Sequence, residues 1–397
     1  MTAIPKGFLF AAHNAGLRYK DRNDVALLVS ETEATAAAVF TTNKFQAAPV
    51  LVGQDVLAAR RTARAVLINA GQANACTGSQ GLADCRESVR LVAEAVGVPA
   101  GAVLPGSTGV IGARMAMDKW PAGAQGLAAA LGTSSHEDFA RAIMTTDAFP
   151  KIASERVKTL SGEFSVLGMA KGAGMICPNM ATLLVVVLTD AAVDADTWQD
   201  ILNHAVAGSF NAATVDGDTS TNDTVYALAN GASGVGATPG DTLPYVDELG
   251  FAVDKVCQEL AYMLVADGEG ATKVARIVVT GARDNAQAET VARTVGHSQL
   301  VKTALYGKDA NWGRIVAAVG RSGADFDAQA VVVQMGGVTL FENGMPAPGD
   351  LDALLAPHLE RQEVRIDISL GSGQGAYTLL ASDLTHDYVS VNADYRS

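Results

Sequence analysis

The chain has 397 residues, of which 49% are apolar and 18% charged. That is ample for a buried core, and about two to three domains of ordinary size would account for the length. A net charge of −13 with no basic stripe argues against nucleic acid as a partner, and no run of about 18 apolar residues predicts a membrane span. Residues 1–16, MTAIPKGFLFAAHNAG, lack the long apolar core and cleavage pattern of a signal peptide, so a cytoplasmic protein is expected.

Strand and helix patterns alternate along the chain. Short apolar runs at 25–29, 37–40 and 65–68 predict strands between polar turns. Residues 84–96 place Val89, Val92 and Val96 at helical spacing, with Asp84 as a candidate cap. Another short helix is expected over 136–144. The nearly continuous apolar run at 183–188 fits a strand buried on both faces. Helices follow over 198–210 and 254–265, the second with Val256, Leu260, Met263 and Leu264 on one face. Residues 231–240 are rich in glycine and form the best linker candidate.

Further on, 277–279 predicts a strand, and 287–306 a helix interrupted near Gly296. Short strands are expected at 331–334 and 338–341, followed by an Asn343-Gly344 turn. Val364, Ile366, Ile368 and Leu370 alternate with Arg365, Asp367 and Ser369, a strand with one buried face. A glycine turn then leads to 377–380, read as an antiparallel partner. The fold class is α/β, with mixed sheets and antiparallel components rather than regular βαβ repeats.

The cysteines (Cys76, Cys85, Cys177, Cys257) form no CxxC pair, and the six histidines show no metal-ligand spacing. Reduced, mostly buried thiols and no metal are expected. No GxSxG elbow is present.

Several segments carry candidate chemistry. GSTGVIG at 106–112 offers backbone N–H groups for an oxyanion, or is an ordinary glycine turn. KGAGMICPNMATLL at 171–184 is a glycine- and proline-shaped loop running into Ala181-Thr182 and then a strand. If the chain breaks between Ala181 and Thr182, Thr182 gains a free α-amine as its own general base; the bland reading is a loop entering a core strand. DGDTSTNDT at 216–224 reads as a cation site, a polar pocket wall or a solvated turn, and does not match an EF-hand loop. In DGEGATK at 267–273, Glu269 either pairs with a substrate ammonium or sits exposed on a helix-ending turn. GKDANWGR at 307–314 offers Lys308, Asn311 and Arg314 as carboxylate donors, or forms a surface turn anchored by Trp312. The closing DYVSVNADYRS is expected to be ordered, with Asn392 and Ser397 within reach of a pocket.

Taken together, these segments resemble the ornithine acetyltransferase family, the bifunctional glutamate N-acetyltransferases. PKGF at 5–8, FTTNKFQAAPV at 40–50, NAGQANACTG at 69–78 and MTTDAFPK at 144–151 extend the resemblance, which runs in order from end to end. It implies a self-cleaving acyltransferase of N-terminal-nucleophile-like architecture. Cleavage at Ala181-Thr182 gives an α chain of 1–181 and a β chain of 182–397. Thr182 then takes acetyl from N2-acetylornithine and passes it to glutamate, in arginine biosynthesis. By the same resemblance Thr108 and Gly109 form the oxyanion hole, and Thr145, Lys171, Thr182, Glu269, Asn392 and Ser397 contact substrate. Ser397 stands where the family often has Thr, keeping the hydroxyl, and Cys177 where Ala is commoner. No cofactor is implied, with acetyl-CoA a possible co-substrate. Two α and two β chains per assembly are expected. A self-cleaving amidohydrolase or aminopeptidase, with water as acceptor, is the alternative on the same chemistry.

Overall fold

The computed structural model describes residues 2–177, 183–236 and 245–394. The expected Ala181-Thr182 junction and Ser397 lie outside these. Among the described residues there are two mixed sheets with helices packed on their faces. Strands in chain order are β1 (Phe8–His13), β2 (Val25–Phe40), β3 (Thr62–Gln72), β4 (Val103–Val110), β5 (Lys151–Thr159), β6 (Gly162–Lys171), β7 (Leu184–Thr189), β8 (Ala213–Thr214), β9 (Thr224–Ala229) and β10 (Val274–Ala282). They continue with β11 (Val332–Met335), β12 (Val338–Glu342), β13 (Met345–Pro346), β14 (Glu363–Ser369) and β15 (Gly375–Ser382).

The first sheet runs β4-β3-β2-β9-β7-β6-β5, with β1 paired to β2. Its centre is buried on both faces, as the apolar run at 183–188 predicts. Val185 and Val187 point to a core shared with the helices Ala195–Ala207 and Tyr245–Ala266. Leu184, Val186 and Leu188 point to the opposite core, with Phe10 and Phe139. Each such side chain withdrawn from water contributes about 1.5–3 kcal/mol, so the strand's position is strongly specified. β6 and β7 are antiparallel, with Lys171 opposite Leu184. The chain therefore leaves this sheet and re-enters it at the same end.

The second sheet runs β13-β12-β11-β14-β10-β15-β8. The alternation in β14 is realised: Val364, Ile366 and Ile368 are fully buried in one core, and Arg365 and Asp367 pair on the other face. Asn343 and Gly344 both take positive φ, 52° and 74°, between the paired β12 and β13, as a two-residue hairpin turn requires.

Several expectations need correction. The strands predicted at 25–29 and 37–40 are one strand, β2. Its polar middle, Glu31 to Glu33, is exposed and coincides with a register shift against β3. Asp84 does not cap its helix, which begins at Gly78; Asp84 is buried within it and pairs with Arg114. The helix read from residue 254 is longer, covering Tyr245–Ala266 among the described residues, because Leu249, Ala252 and Val253 continue the buried stripe past Gly250. Of the linker candidate 231–240, residues 237–240 lie outside the described residues; over 231–236, Ala192 N–H donates to Val235 O and Ser233 N–H to Asp190 O, so this part packs on the loop after β7 rather than running free. The strand at 377–380 is antiparallel to β10, not to β14; β10 and β14 are parallel neighbours. The glycine turn after β14 thus carries the chain across the end of β10. No helix among the described residues is long and apolar enough to cross a membrane.

Candidate active site

Six of the residues singled out in the sequence line one cavity of about 380 Å³: Thr108, Gly109, Thr145, Lys171, Glu269 and Asn392. They come from five parts of the fold, Thr145 from the loop between the helix His136–Ala142 and β5. Thr108 and Gly109 close β4, Lys171 ends β6, Glu269 follows the helix Tyr245–Ala266, and Asn392 lies on the helix His386–Asp394.

Local sequence explains the placement. β3 and β4 run parallel, with Thr108 beside Ala70 and Gly109 beside Gly71. Gly109 has φ +129°, and a Cβ there would lie 2.3 Å from the Gly71 carbonyl carbon, so only glycine lets β4 reach the cavity in this path. At Gly174 a Cβ would meet the Glu269 carboxylate at 2.5 Å. The glycine loop after β6 therefore leaves the acid its space. Glu269 is held by its N–H on Ala173 O, 2.9 Å, and by the Asn392 amide on Oε2, 2.8 Å.

Beneath the cavity lies a buried ionic cluster. Lys171, 2% exposed, donates to the Thr108 hydroxyl at 3.0 Å and the Thr145 hydroxyl at 2.8 Å. Its ammonium is 3.9 Å from the Asp147 carboxylate. Asp147 also accepts from Gly172 N–H, 2.6 Å, Thr145 N–H, 3.0 Å, and the Lys151 ammonium, 2.8 Å. The fully buried Lys151 reaches on to Asp267 at 2.5 Å. Burial alone would raise the Asp147 carboxyl; the ammonium groups of Lys171 and Lys151 override it and hold it well below the usual carboxylate range. Burial lowers Lys171, with Asp147 opposing the shift.

The rest of the charged lining is acidic: Asp216, Asp218 and Glu269, with Tyr388 beside them. Burial pushes the Asp216 carboxyl up to about 6, against backbone N–H donors from Asp218 and Met175. Asp223 is fully buried; it accepts Leu183 N–H at 3.0 Å, and burial raises it well above the ordinary range.

Of the three readings of 216–224, the polar pocket wall is the one realised: Asp216, Asp218 and Thr219 line the cavity, and the second half of the segment is buried behind them. Ser220 to Thr224 are buried, and the Asn222 amide bridges Ala73 O and Ser107 O at 2.6 and 2.9 Å. No cluster of three or more metal-ligating side chains occurs among the described residues. Lys308, Asn311 and Arg314 lie outside the cavity lining. Lys308 pairs with Glu360, Asn311 caps the helix Trp312–Gly320, Arg314 binds Leu300 O, and Trp312 stacks on Phe341; that motif builds structure. Cys177 Sγ is 3.8 Å from His297 Nε2, and burial pushes its thiol up to about 11, so it is no thiolate at neutral pH.

Asp216 belongs to the segment already read as a polar pocket wall among other options; sequence reading missed Asp147, Lys151, Asp267 and Tyr388. The first two carried a usable signal, an acid and a lysine four residues apart within MTTDAFPK. The Asp267 pairing spans 116 positions and leaves no local trace.

The chain matches the ArgJ family over residues 9–397. An arginine biosynthesis bifunctional protein ArgJ from Nitratidesulfovibrio vulgaris is 62% identical over 397 residues, covering 100% of both chains. One of the same name from Geobacter sulfurreducens is 45% identical, covering 99% of each. A crystal structure of a protein of this name from Bacillus halodurans superimposes with TM-score 0.50 at 37% identity, over 53% of this chain and 98% of that one. These relatives do not favour the hydrolase alternative. The chain belongs to the ArgJ family and is an acetyltransferase of arginine biosynthesis.

Proposed function

We propose that the chain cleaves itself at Ala181-Thr182 and transfers acetyl from N2-acetylornithine to glutamate through an ester on Thr182. One observation carries this reading. Thr108 and Lys171, from the first 181 residues, share a cavity with Glu269 and Asn392, from the remainder. The sheet positions on either side of residues 172–183 meet as the pair Lys171 and Leu184 beside that cavity.

An α-amine of ordinary pKa, about 7.7–8.0, is partly neutral near neutral pH and can take the Thr182 hydroxyl proton during attack. The proton then passes to the leaving amine of ornithine. Thr108 and the Gly109 N–H stabilise the tetrahedral oxyanion. Lys171 supplies positive charge for the α-carboxylate shared by ornithine and glutamate, with Thr145 beside it. Glu269, oriented by Asn392, suits ornithine's distal ammonium; Ser397 is assigned to the same substrate set. The buried pair of Lys151 and Asp267 joins residues from both products of the cut, so the α and β chains stay associated. We extend the reading to an assembly of two α and two β chains in the cytoplasm, with no cofactor, and to acetyl-CoA as a second donor, which fits the word bifunctional in the relatives' names.

Thr182→Ala tests the cut: a single chain of 40.8 kDa on a denaturing gel is expected, and two fragments overturn cleavage at this site. Intact mass of the β chain after acetylornithine without glutamate should rise by one acetyl group. An unchanged mass rules out the ester intermediate.

A further inference from the structure

We infer that Lys171 is a positioning residue for the Thr108 hydroxyl, turning it into an obligate donor to the oxyanion, and that Asp147 holds Lys171 in that role. The inference rests on the reading of Thr108 as an oxyanion donor and adds the device behind it.

An ammonium donates and cannot accept. Both hydroxyls that Lys171 meets, Thr108 at 3.0 Å and Thr145 at 2.8 Å, must therefore accept from it. A hydroxyl that accepts on one side keeps its own O–H for another partner. Thr108 lines the cavity, so that proton is available to negative charge developing there. A neutral hydroxyl free to rotate would spend part of its time with a lone pair toward the oxyanion, which repels it. The lysine removes that orientation, and its charge sits one hydrogen bond behind the donor, where low dielectric strengthens it.

Access supports the same assignment. Lys171 is 2% exposed. Two of its three N–H bonds are engaged by hydroxyls, and Asp147 lies 3.9 Å from the ammonium. A substrate carboxylate thus feels the charge without displacing those bonds. Asp147 is in turn fixed by two backbone N–H groups and Lys151. Gly172 N–H, from the residue after Lys171, and Thr145 N–H both end on it. One carboxylate thereby sets the geometry of the lysine and of one hydroxyl it serves.

The test is a cycle of Thr108→Val, Lys171→Met and the double variant, scored by acetylation of the β chain from N2-acetylornithine by intact mass over time. Thr108→Val should lower kcat by about 100-fold, the usual effect of losing one oxyanion donor. Lys171→Met should lower kcat at least tenfold, and the double variant should be no slower than Thr108→Val alone. Multiplying losses, or a rise in KM at unchanged kcat, overturn the inference. A second arm uses N-acetyl-1,4-diaminobutane, the same donor without its carboxylate. Lys171→Met should slow acetylation from it at least tenfold; an unimpaired rate overturns the role. If Lys171→Met fails to fold, Lys171→Arg, which keeps the charge and a donor, replaces it and should retain more kcat than Thr108→Val; a greater loss overturns the inference. Absence of acetylation in the wild-type chain would defeat the underlying ester mechanism, an outcome distinct from a multiplicative cycle.

Discussion

The two walls of the cavity are built on opposite electrostatic plans. The floor balances two ammonium groups, Lys171 and Lys151, against two carboxylates, Asp147 and Asp267, all in contact and nearly all buried. The wall carries Asp216, Asp218 and Glu269, and among the described lining residues Lys171 is the one cation. A balanced, buried network holds fixed directions, because breaking any bond strands a charge in low dielectric. An acidic wall with unmatched charge attracts a cationic ligand and answers to pH. The floor is suited to orienting reacting atoms and the wall to choosing the amine.

Lys151→Met attacks the floor most directly and carries the largest expected effect. It strands Asp267 and leaves Asp147 with Lys171 alone, and removing one partner of a buried ion pair costs about 3–5 kcal/mol. Urea unfolding should show a loss of that size, and a loss under about 1 kcal/mol would mean the floor is not held by its charges. Glu269→Gln attacks the wall. It keeps the shape and the Asn392 bond while removing a charge whose hydrogen bonds are worth about 1.5–3 kcal/mol. KM for acetylornithine should rise about tenfold or more, with unfolding unchanged. An effect on unfolding instead of KM would erase the distinction between the walls.

The pH response sharpens the same contrast. Asp216 has a carboxyl raised to about 6 by burial. Between pH 5 and 7 it passes from about a tenth to about nine tenths ionised, so attraction for a cationic donor grows as the pH rises. KM for acetylornithine should fall severalfold over that interval in the wild-type chain and less in Asp216→Asn. For folding the sign reverses. A carboxyl raised above its unfolded value stabilises the fold fully below about pH 4, and that contribution is lost as the pH climbs through 6. Asp216→Asn should flatten this fall. Asp147 is shifted the other way, so its contribution is fully present above its unfolded value, about 3.9, and is lost only on stronger acidification.

The wall was more legible in the sequence than the floor. Glu269 and Asn392 could be picked out because glycines crowd one and the other belongs to a polar tail. Within the described residues the tail forms the helix His386–Asp394. The strands were legible wherever burial repeats within a strand, as in β7 and β14. Partners were not: pairing β15 with β10 instead of β14 depends on which edge is free, and nothing within 375–382 encodes that. The ionic floor was hidden for the same reason. Asp147 and Lys151 look like surface residues until Asp267, 116 positions from Lys151, arrives beside them. Composition left 216–224 open between a cation site, a pocket wall and a solvated turn; Asp223 and Asn222 are buried because Leu183, just before β7, and Ala73, just after β3, present an N–H and a C=O to them.

Asn392→Ala has the smallest expected effect and separates attraction from aim. Asn392 is exposed and bonds both Glu269 Oε2 and Tyr388 O. Its loss leaves the Glu269 charge intact but frees the carboxylate to rotate. A single neutral donor of this kind contributes about 0.5–1.5 kcal/mol, so KM for acetylornithine should rise about two- to tenfold. Combined with Glu269→Gln, the second loss should nearly vanish, because aim has no value once the charge is gone. If the two losses multiply instead, Asn392 meets the substrate itself, and the wall holds two separate contacts where the hydrogen bond joins them into one.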